Sequence, residues 1–357
     1  MTPAMRVGTW HIWIPADDRE APSSKGEISA TEPEAREFTS RADAHRETEP
    51  SGGEIRSGRD SLSPATPIAS AASGGEINWL ALADRLAATE TPCHRSKHAA
   101  TYRTSIGGRE VYLKRYHSYR WRTELEDMLR PSKARHVLRM SAALAAAGFH
   151  VPRVLAAAEE RRGPLLRGAW VATAALAGTP LGERLAELAR RRATAPAAEA
   201  HALLTDKRRL LAALGAAVAR LHAGGFVAGD LVPANVWLAC GDDADDLAFL
   251  DHDRTRVAHA PAPWRRARRN LVQLNRIVLA GVVTTDRARV YRAYAAGRGW
   301  SRAEARRRLP WLIAKTIERR RRFDGIADAA AIGFRTLMRA GPDAVTTGGG
   351  PPERSRR

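Results

Sequence analysis

Two periods of hydrophobicity divide the chain: alternation at every second position marks strands, and recurrence at three and four marks helices. "ATYRTSIGGREVYLKRYH" (100–117) holds two β-prone runs about Gly107-Gly108, which predicts a hairpin. Within "VYLKRY" the alternation puts Tyr112 and Lys114 on one face and Val111, Leu113 and Arg115 on the other. "SKARHVLRMSAALAAAGF" predicts a helix capped by Ser132, with Val137, Leu138, Met140 and Leu144 apolar and Gly148 as its stop. Residues 151–176 offer two further strands around Gly163, so a small sheet with one inserted helix is expected. "AGTPLGERLAEL" then leads into a helical second half. There, "TDKRRLLAALGAAVARLHAGGF" predicts a helix capped by Thr205, striped by Leu210, Leu214, Val218 and Leu221, and ended by Gly224-Gly225. Two arginine-crowded helices follow, within 263–281 and 301–326.

Composition changes this pattern at the ends. Residues 1–76 are rich in Ser, Pro, Glu and Gly and lack apolar periodicity, so they are expected to form a disordered acidic and polar extension. Order is expected to begin near Trp79, with "INWLALADRLAA", and a Gly/Pro/Arg tail at 341–357 is expected to be disordered too.

Charge is distributed unevenly. The 357 residues carry a net +19, but residues 1–76 hold 8 Lys/Arg against 13 Asp/Glu, so the remaining 281 residues carry +24. A folded part this basic is expected to be drawn to phosphate-rich polyanions, whether nucleic acid, nucleotide or an anionic membrane face, and charge alone does not choose among them. Two cysteines are too few for a disulfide framework and fit a reducing compartment. No apolar run approaches the ~18 residues needed to span a bilayer, and "TWHIWI" at 9–14 is too short for a leader. A cytoplasmic protein is expected, with peripheral attachment to the inner membrane face left open.

The chemistry concentrates in "GDLVPANVWLACGDDADDLAFLDHDR" (229–254). "NVWLA" and "LAFL" are β-prone runs separated by an acidic, Gly-containing turn. Paired antiparallel, they make Asn235 and Asp251 spatial neighbours. An amide oxygen beside a carboxylate suits a hard cation such as Mg²⁺, which takes few protein ligands and completes its shell with water and phosphate. Asp230, on the preceding loop, would face the same ion or the group reacting beside it. Asp242, Asp243, Asp245 and Asp246 read as a solvated hairpin tip, and His222 as a buried structural histidine bonded to backbone near the loop. "CHRSKH" (93–98) reads as a plain loop.

"GDLVPAN" followed by "FLDHDR" resembles the catalytic loop and metal-binding Asp of protein-kinase-like phosphotransferases. Within that superfamily the chain resembles the lipopolysaccharide kinase family, which phosphorylates Kdo or heptose of the inner core. The residues that carry this are "VYLKRYH", "LRPSKAR", "AAGFHVPRVLA", "LHAGGFVAGDLVPANVWL", "FLDHDRTRV" and "WRRARRNLVQLNRIV", over about 100–280. The resemblance implies an α+β, bilobal protein-kinase-like fold over 77–340, with a small antiparallel-sheet N-lobe (about 77–176) and a mainly helical C-lobe (about 177–340). It implies Asp230 as catalytic base, Asn235 and Asp251 as Mg²⁺ ligands, Lys114 on the phosphates of ATP, and an anionic glycolipid or sugar as acceptor.

Three positions depart from the kinase pattern. Ala228 stands where a histidine is usual, and Val137 where a glutamate pairs with the strand lysine, leaving Glu124 or Glu126 as candidate partners. No G-x-G-x-x-G loop is present. Two other readings follow from these departures: a kinase-like phosphotransferase on a protein or small molecule, and a pseudokinase or basic binding module. Nothing resembles an aromatic-studded RNA platform, which argues against a nucleic-acid partner.

Overall fold

The computed structural model describes residues 5–15, 77–96, 98–117, 131–239, 246–276, 279 and 281–323. A seven-stranded antiparallel sheet is built from β1 (Met5–Val7), β2 (Trp10–Trp13), β3 (His94–Arg95), β4 (Ala99–Ile106), β5 (Arg109–Tyr116), β6 (Val154–Arg162) and β7 (Leu165–Ala174). Its order is β1-β2-β6-β7-β5-β4-β3. Each face is covered by one helix. On one side Trp79, Leu82 and Leu86 of α1 (Trp79–Thr89) pack over Val111, Leu113 and Trp170. On the other side Ala134 and Val137 of α2 (Lys133–Ala146) pack over Tyr116, Ala157 and Val171. The alternation along β5 therefore sorts its side chains as expected, and Arg115 reaches Asp84 on the α1 side at 3.9 Å. Ser132 caps α2 by accepting a hydrogen bond from the Arg135 amide.

Residues 5–15 correct the expectation of a wholly disordered extension. Trp10–Trp13 joins the sheet through β6, with Trp10 opposite Glu160 and Ile12 opposite Ala158. Ile12 and Trp13 are buried on opposite faces of the sheet. Burying two such side chains contributes roughly 1.5–3 kcal/mol each, which offsets the ordering of a short strand. Strand β2, four residues long, pairs with β1 on one side and β6 on the other. The expectation for 16–76, like that for 341–357, lies outside the described residues.

The second half is mainly helical: α3 (Leu181–Thr194), α4 (Ala197–Ala223), α5 (Trp264–Arg276), α6 (Thr284–Gly297) and α7 (Arg302–Phe323). Among them lie β8 (Gly178–Pro180), β9 (Phe226–Val227), β10 (Val236–Ala239), β11 (Leu247–Phe249) and β12 (Arg256–Val257). Thr205 does not cap α4. The helix starts two turns earlier, after Pro196, and Thr205 donates to the His201 carbonyl from within it. Its first turns are mostly exposed, so no apolar stripe announces them.

Helix α4 crosses α6 closely at Gly215, where a Cβ would stand 2.3 Å from the Val290 carbonyl oxygen. The same two helices share a buried ion pair, Lys207 Nζ to Asp286 Oδ2 at 2.8 Å. The C-terminus of α5 is held by two arginines. Arg287 Nη1 donates to the Asn275 carbonyl (2.6 Å), and Arg320 donates to the Asn275 and Arg276 carbonyls (2.8 and 2.9 Å). Cations at a helix C-terminus meet its negative dipole end. Burial, and next the Arg320 charge, push the Arg287 pKa down to about 9. Among the described residues no helix is long and apolar enough to cross a membrane.

Candidate active site

The hairpin of β10 and β11 pairs Val236 with Phe249, and the Leu250 amide donates to the Asn235 carbonyl at 2.9 Å. Asn235 and Asp251 thus sit at the same open end of one hairpin. The Asn235 side-chain amide donates to the Asp230 carbonyl (3.0 Å), which ties the preceding loop to that end and leaves the amide oxygen as its other polar atom. At Asp251 the backbone turns left-handed, with φ 57°. Aspartate tolerates this conformation better than a branched residue would.

Lys114 reaches across from the sheet. Its Nζ lies 3.1 Å from Asp251 Oδ1 and 2.7 Å from Asp253 Oδ2, and Tyr116 donates its hydroxyl to Asp253 Oδ1 at 2.6 Å. Lys114 and Tyr116 are two apart on one strand, so alternation aims both at the same carboxylate. Burial by itself would lower the Lys114 pKa, but the charges of Asp253 and Asp251 outweigh it and raise it. Burial likewise opposes ionisation of Asp251, yet Lys114 holds that carboxyl below its usual range. Burial, reinforced by Asp253, raises the Tyr116 pKa well above the ordinary phenol value, so its hydroxyl stays a donor.

The segment after Asp251 has its own scaffold. Burial lowers the His252 pKa to about 4, so the ring is neutral at pH 7. It is placed to donate from Nε2 to the Phe249 carbonyl at 3.0 Å and accept at Nδ1 from the Thr255 hydroxyl at 3.3 Å. His136 of α2 meets the Thr255 carbonyl at 2.7 Å, which ties the helix on the sheet to this segment.

The loop that carries Asp230 is clamped by two amides of α5. Asn270 accepts from the Ala228 amide (3.1 Å) and donates to the Ala228 carbonyl (2.7 Å). Gln273 accepts from the Leu231 amide (3.3 Å) and donates to the Gly229 carbonyl (3.0 Å) and to Asp230 Oδ1 (3.1 Å). The two amides also bond each other at 2.8 Å. His222, fully buried, corrects the expectation of a backbone partner for its ring. It donates from Nε2 to Asn270 (3.0 Å) and accepts at Nδ1 from the Tyr294 hydroxyl (2.9 Å), a neutral ring whose pKa burial lowers to about 4. Gly229 packs against Arg254 so closely that a Cβ would stand 2.2 Å from that residue's Cβ. The loop and the segment after Asp251 are therefore pressed together.

These groups form a constellation of strand lysine, loop aspartate, asparagine and hairpin-end aspartate. Over residues 83–294 the chain matches the family model described as the lipopolysaccharide kinase (Kdo/WaaP) family. It belongs to that family. It is therefore a kinase, a phosphotransferase of lipopolysaccharide, whose fold mixes an antiparallel sheet with helices. Among solved structures it is similar to WaaP in complex with acyl carrier protein, with TM-score 0.49 and 23% identity over 66% of this chain and 91% of that one. It is also similar to a Stt7 homolog from Micromonas algae soaked with ATP (TM-score 0.35, 16% identity, 71% and 82% covered). A third likeness is to the ROP18 kinase domain in complex with AMP-PNP and sucrose (TM-score 0.32, 15% identity, 47% and 51% covered). No curated protein matches the chain.

In this lipopolysaccharide kinase the departures at Val137 and Ala228 have physical accounts. Val137 is buried in the apolar contact of α2 with the sheet, and Lys114 takes Asp251 and Asp253 as its partners. Glu124 and Glu126 lie outside the described residues, as do Asp242, Asp243 and Asp245, while Asp246 bonds His150 Nδ1 at 2.9 Å. Ala228 has no polar group in its side chain to hold the loop, and Asn270 holds its backbone instead. Pattern reading of the sequence misses Asn270 and Gln273. Their only signal is a pair of amides three apart on the buried side of an otherwise arginine-rich helix.

The lysine cluster predicts a pH dependence. Because Asp251 has a lowered pKa in the folded state, its pairing stabilises fully above the ordinary carboxylate pKa of about 4. That contribution is lost as pH falls through the lowered value. Lys114→Met is expected to be less stable than the parent at pH 7, with the gap closing towards pH ~2. Urea unfolding at the two pH values checks this, and an equal gap at both would mean that the ion pair is not what Lys114 contributes.

Proposed function

We propose that this kinase transfers the γ-phosphoryl group of ATP, with Mg²⁺, to a hydroxyl of Kdo or heptose in the lipopolysaccharide inner core. The observation that carries the reading is the meeting of Lys114 with Asp251 at 3.1 Å, beside an asparagine bonded to the Asp230 backbone. The residues fit the ion. Asp251 and Asn235 offer hard oxygens, and the ammonium of Lys114 already sits as a cation between two carboxylates. Asp251 and Asn235 would hold Mg²⁺, which when bound neutralises phosphate charge.

The protein's own groups supply the rest. Lys114 exchanges its contact with Asp251 for phosphate oxygens, and Asp253, itself held by the Tyr116 hydroxyl, keeps its ammonium in place. Gln273 holds Asp230 Oδ1, so Oδ2 is the oxygen offered to the acceptor hydroxyl, whose proton it takes. Phosphoryl transfer asks mainly for positioning and charge stabilisation, so these few groups suffice. The basic surface keeps the enzyme at the cytoplasmic face of an anionic membrane, where its glycolipid acceptor lies.

The test is incubation of the chain with Mg²⁺ and γ-labelled ATP on lipid A that bears Kdo and heptose. Label is expected in the glycolipid. Tight Mg²⁺-ATP binding with no labelled glycolipid would overturn the proposal.

A further inference from the structure

Helices α5 and α7 line a cavity of about 360 Å³ that also takes in Asp230. Arg265, Arg268 and Arg269 enter it from α5, and their three- and four-residue spacing places them on one helix face. Trp311 and Lys315 enter from α7. An arginine-rich helix is ordinarily a solvated face, and two facts set this one apart. Among the described residues no carboxylate pairs with Arg265, Arg268 or Arg269, whereas Lys315 already holds Glu318 at 2.6 Å. The Arg268 guanidinium also lies over the Trp311 ring, 3.9 Å from its centroid. A stacked guanidinium is bound by its face, so its in-plane N–H groups stay available for an oxyanion.

Among the described residues Asp230 is the one carboxylate in the lining of this cavity, so the three guanidiniums gathered there still repel one another, and an anion placed among them relieves that repulsion. We propose that this cavity is an anion subsite for the acceptor. It holds a carboxylate or phosphate group of the sugar while the hydroxyl to be phosphorylated lies at Asp230. The inference rests on the assignment of Asp230 as the base, because that assignment makes the neighbouring space the acceptor's. It follows that the enzyme acts on a sugar that already bears an acidic group, and that a neutral sugar is a poor acceptor. Arg268 and Arg269 supply charge-assisted, two-pronged hydrogen bonds that fix the sugar's orientation. Phosphoryl transfer itself is left to the groups already described.

The test has a binding arm and a transfer arm, both on the full chain. Binding of free Kdo (carboxylate), mannose 6-phosphate (phosphate) and mannose (neutral) is measured by calorimetry for the parent and for Arg268→Gln/Arg269→Gln. Arg266→Gln, which removes a charge from an exposed residue outside the cavity, is the control for the general field, and thermal unfolding checks that each variant folds. The parent is expected to bind at least one anionic sugar and not mannose, and which one it binds tells carboxylate from phosphate. The double variant should lose at least about tenfold in that affinity. Arg266→Gln should keep it. In the transfer arm the double variant should raise KM for the glycolipid while KM for ATP stays unchanged. Anionic sugars bound equally by parent and double variant, or by neither, would sink the subsite. Labelled glycolipid formed with an unchanged acceptor KM would also sink it and leave the kinase reading standing. Arginine-dependent anion binding without any transfer to glycolipid would do the reverse.

Discussion

Replacing Asp230 by Ala is expected to reduce phosphoryl transfer by about 10²–10⁴-fold, the usual contribution of a positioned base. The loss should fall on kcat, with KM for ATP little changed, because Asp230 is bonded to Gln273 of α5 and not to the Lys114 cluster. Asp230 is exposed, and the loop backbone beside it is held by Asn270 and Gln273, so the variant should remain folded. Asp230→Asn sharpens the test. It keeps an oxygen for Gln273 to bond and removes the basic carboxylate. Full activity in the Asn variant would show that Asp230 orients the hydroxyl without taking its proton, and full activity in the Ala variant would remove Asp230 from the chemistry. Steady-state transfer at saturating glycolipid, with the thermal midpoint as the folding control, measures both.

Asp286→Ala is expected to destabilise the domain by about 3–5 kcal/mol, the cost of leaving one partner of a buried ion pair uncompensated. Asp286 is 2% exposed and Lys207 7%. Its carboxylate accepts from Lys207 Nζ, from Arg289 Nη1 at 3.2 Å and from the Val283 amide at 3.1 Å, the last a cap on the first turn of α6. Without it, Lys207 keeps, among the described residues, only the Gly281 carbonyl at 3.0 Å. Helix α6 also carries Tyr294, which holds His222, which in turn bonds Asn270 of the loop clamp. Loss of stability should therefore reach the Asp230 loop. A double-mutant cycle with Lys207→Met, followed by urea unfolding, isolates the pair. The double variant should be less destabilised than the sum of the single changes. Strict additivity would mean that the two charges do not act as a pair.

How much of this is legible in the sequence follows from where each partner lies. The β10–β11 hairpin is readable because its strands are neighbours in sequence and a turn with two β-prone flanks specifies its own pairing. Local pairing alone therefore brings Asn235 and Asp251 together. Lys114 is readable as a strand residue on the face opposite Val111 and Leu113. Its partners are not, since the contact to Asp251 spans 137 residues. Asn270 meets Ala228 across 42 residues, and nothing near either predicts the other.

The sequence by itself determined the type and order of most elements, the charge of residues 77–357 and the cluster of carboxylates and amide proposed to handle phosphate. Periodicity, caps and turns are local, so a segment carries them wherever it lies. Tertiary structure alone decided that Asp251 and Asp253 serve as the lysine's partners, that two amides of α5 hold the loop and that Trp10–Trp13 completes the sheet. It also decided which arginines converge on the cavity that Asp230 lines. These depend on which distant backbones come within hydrogen-bonding reach, and packing of the whole chain sets that.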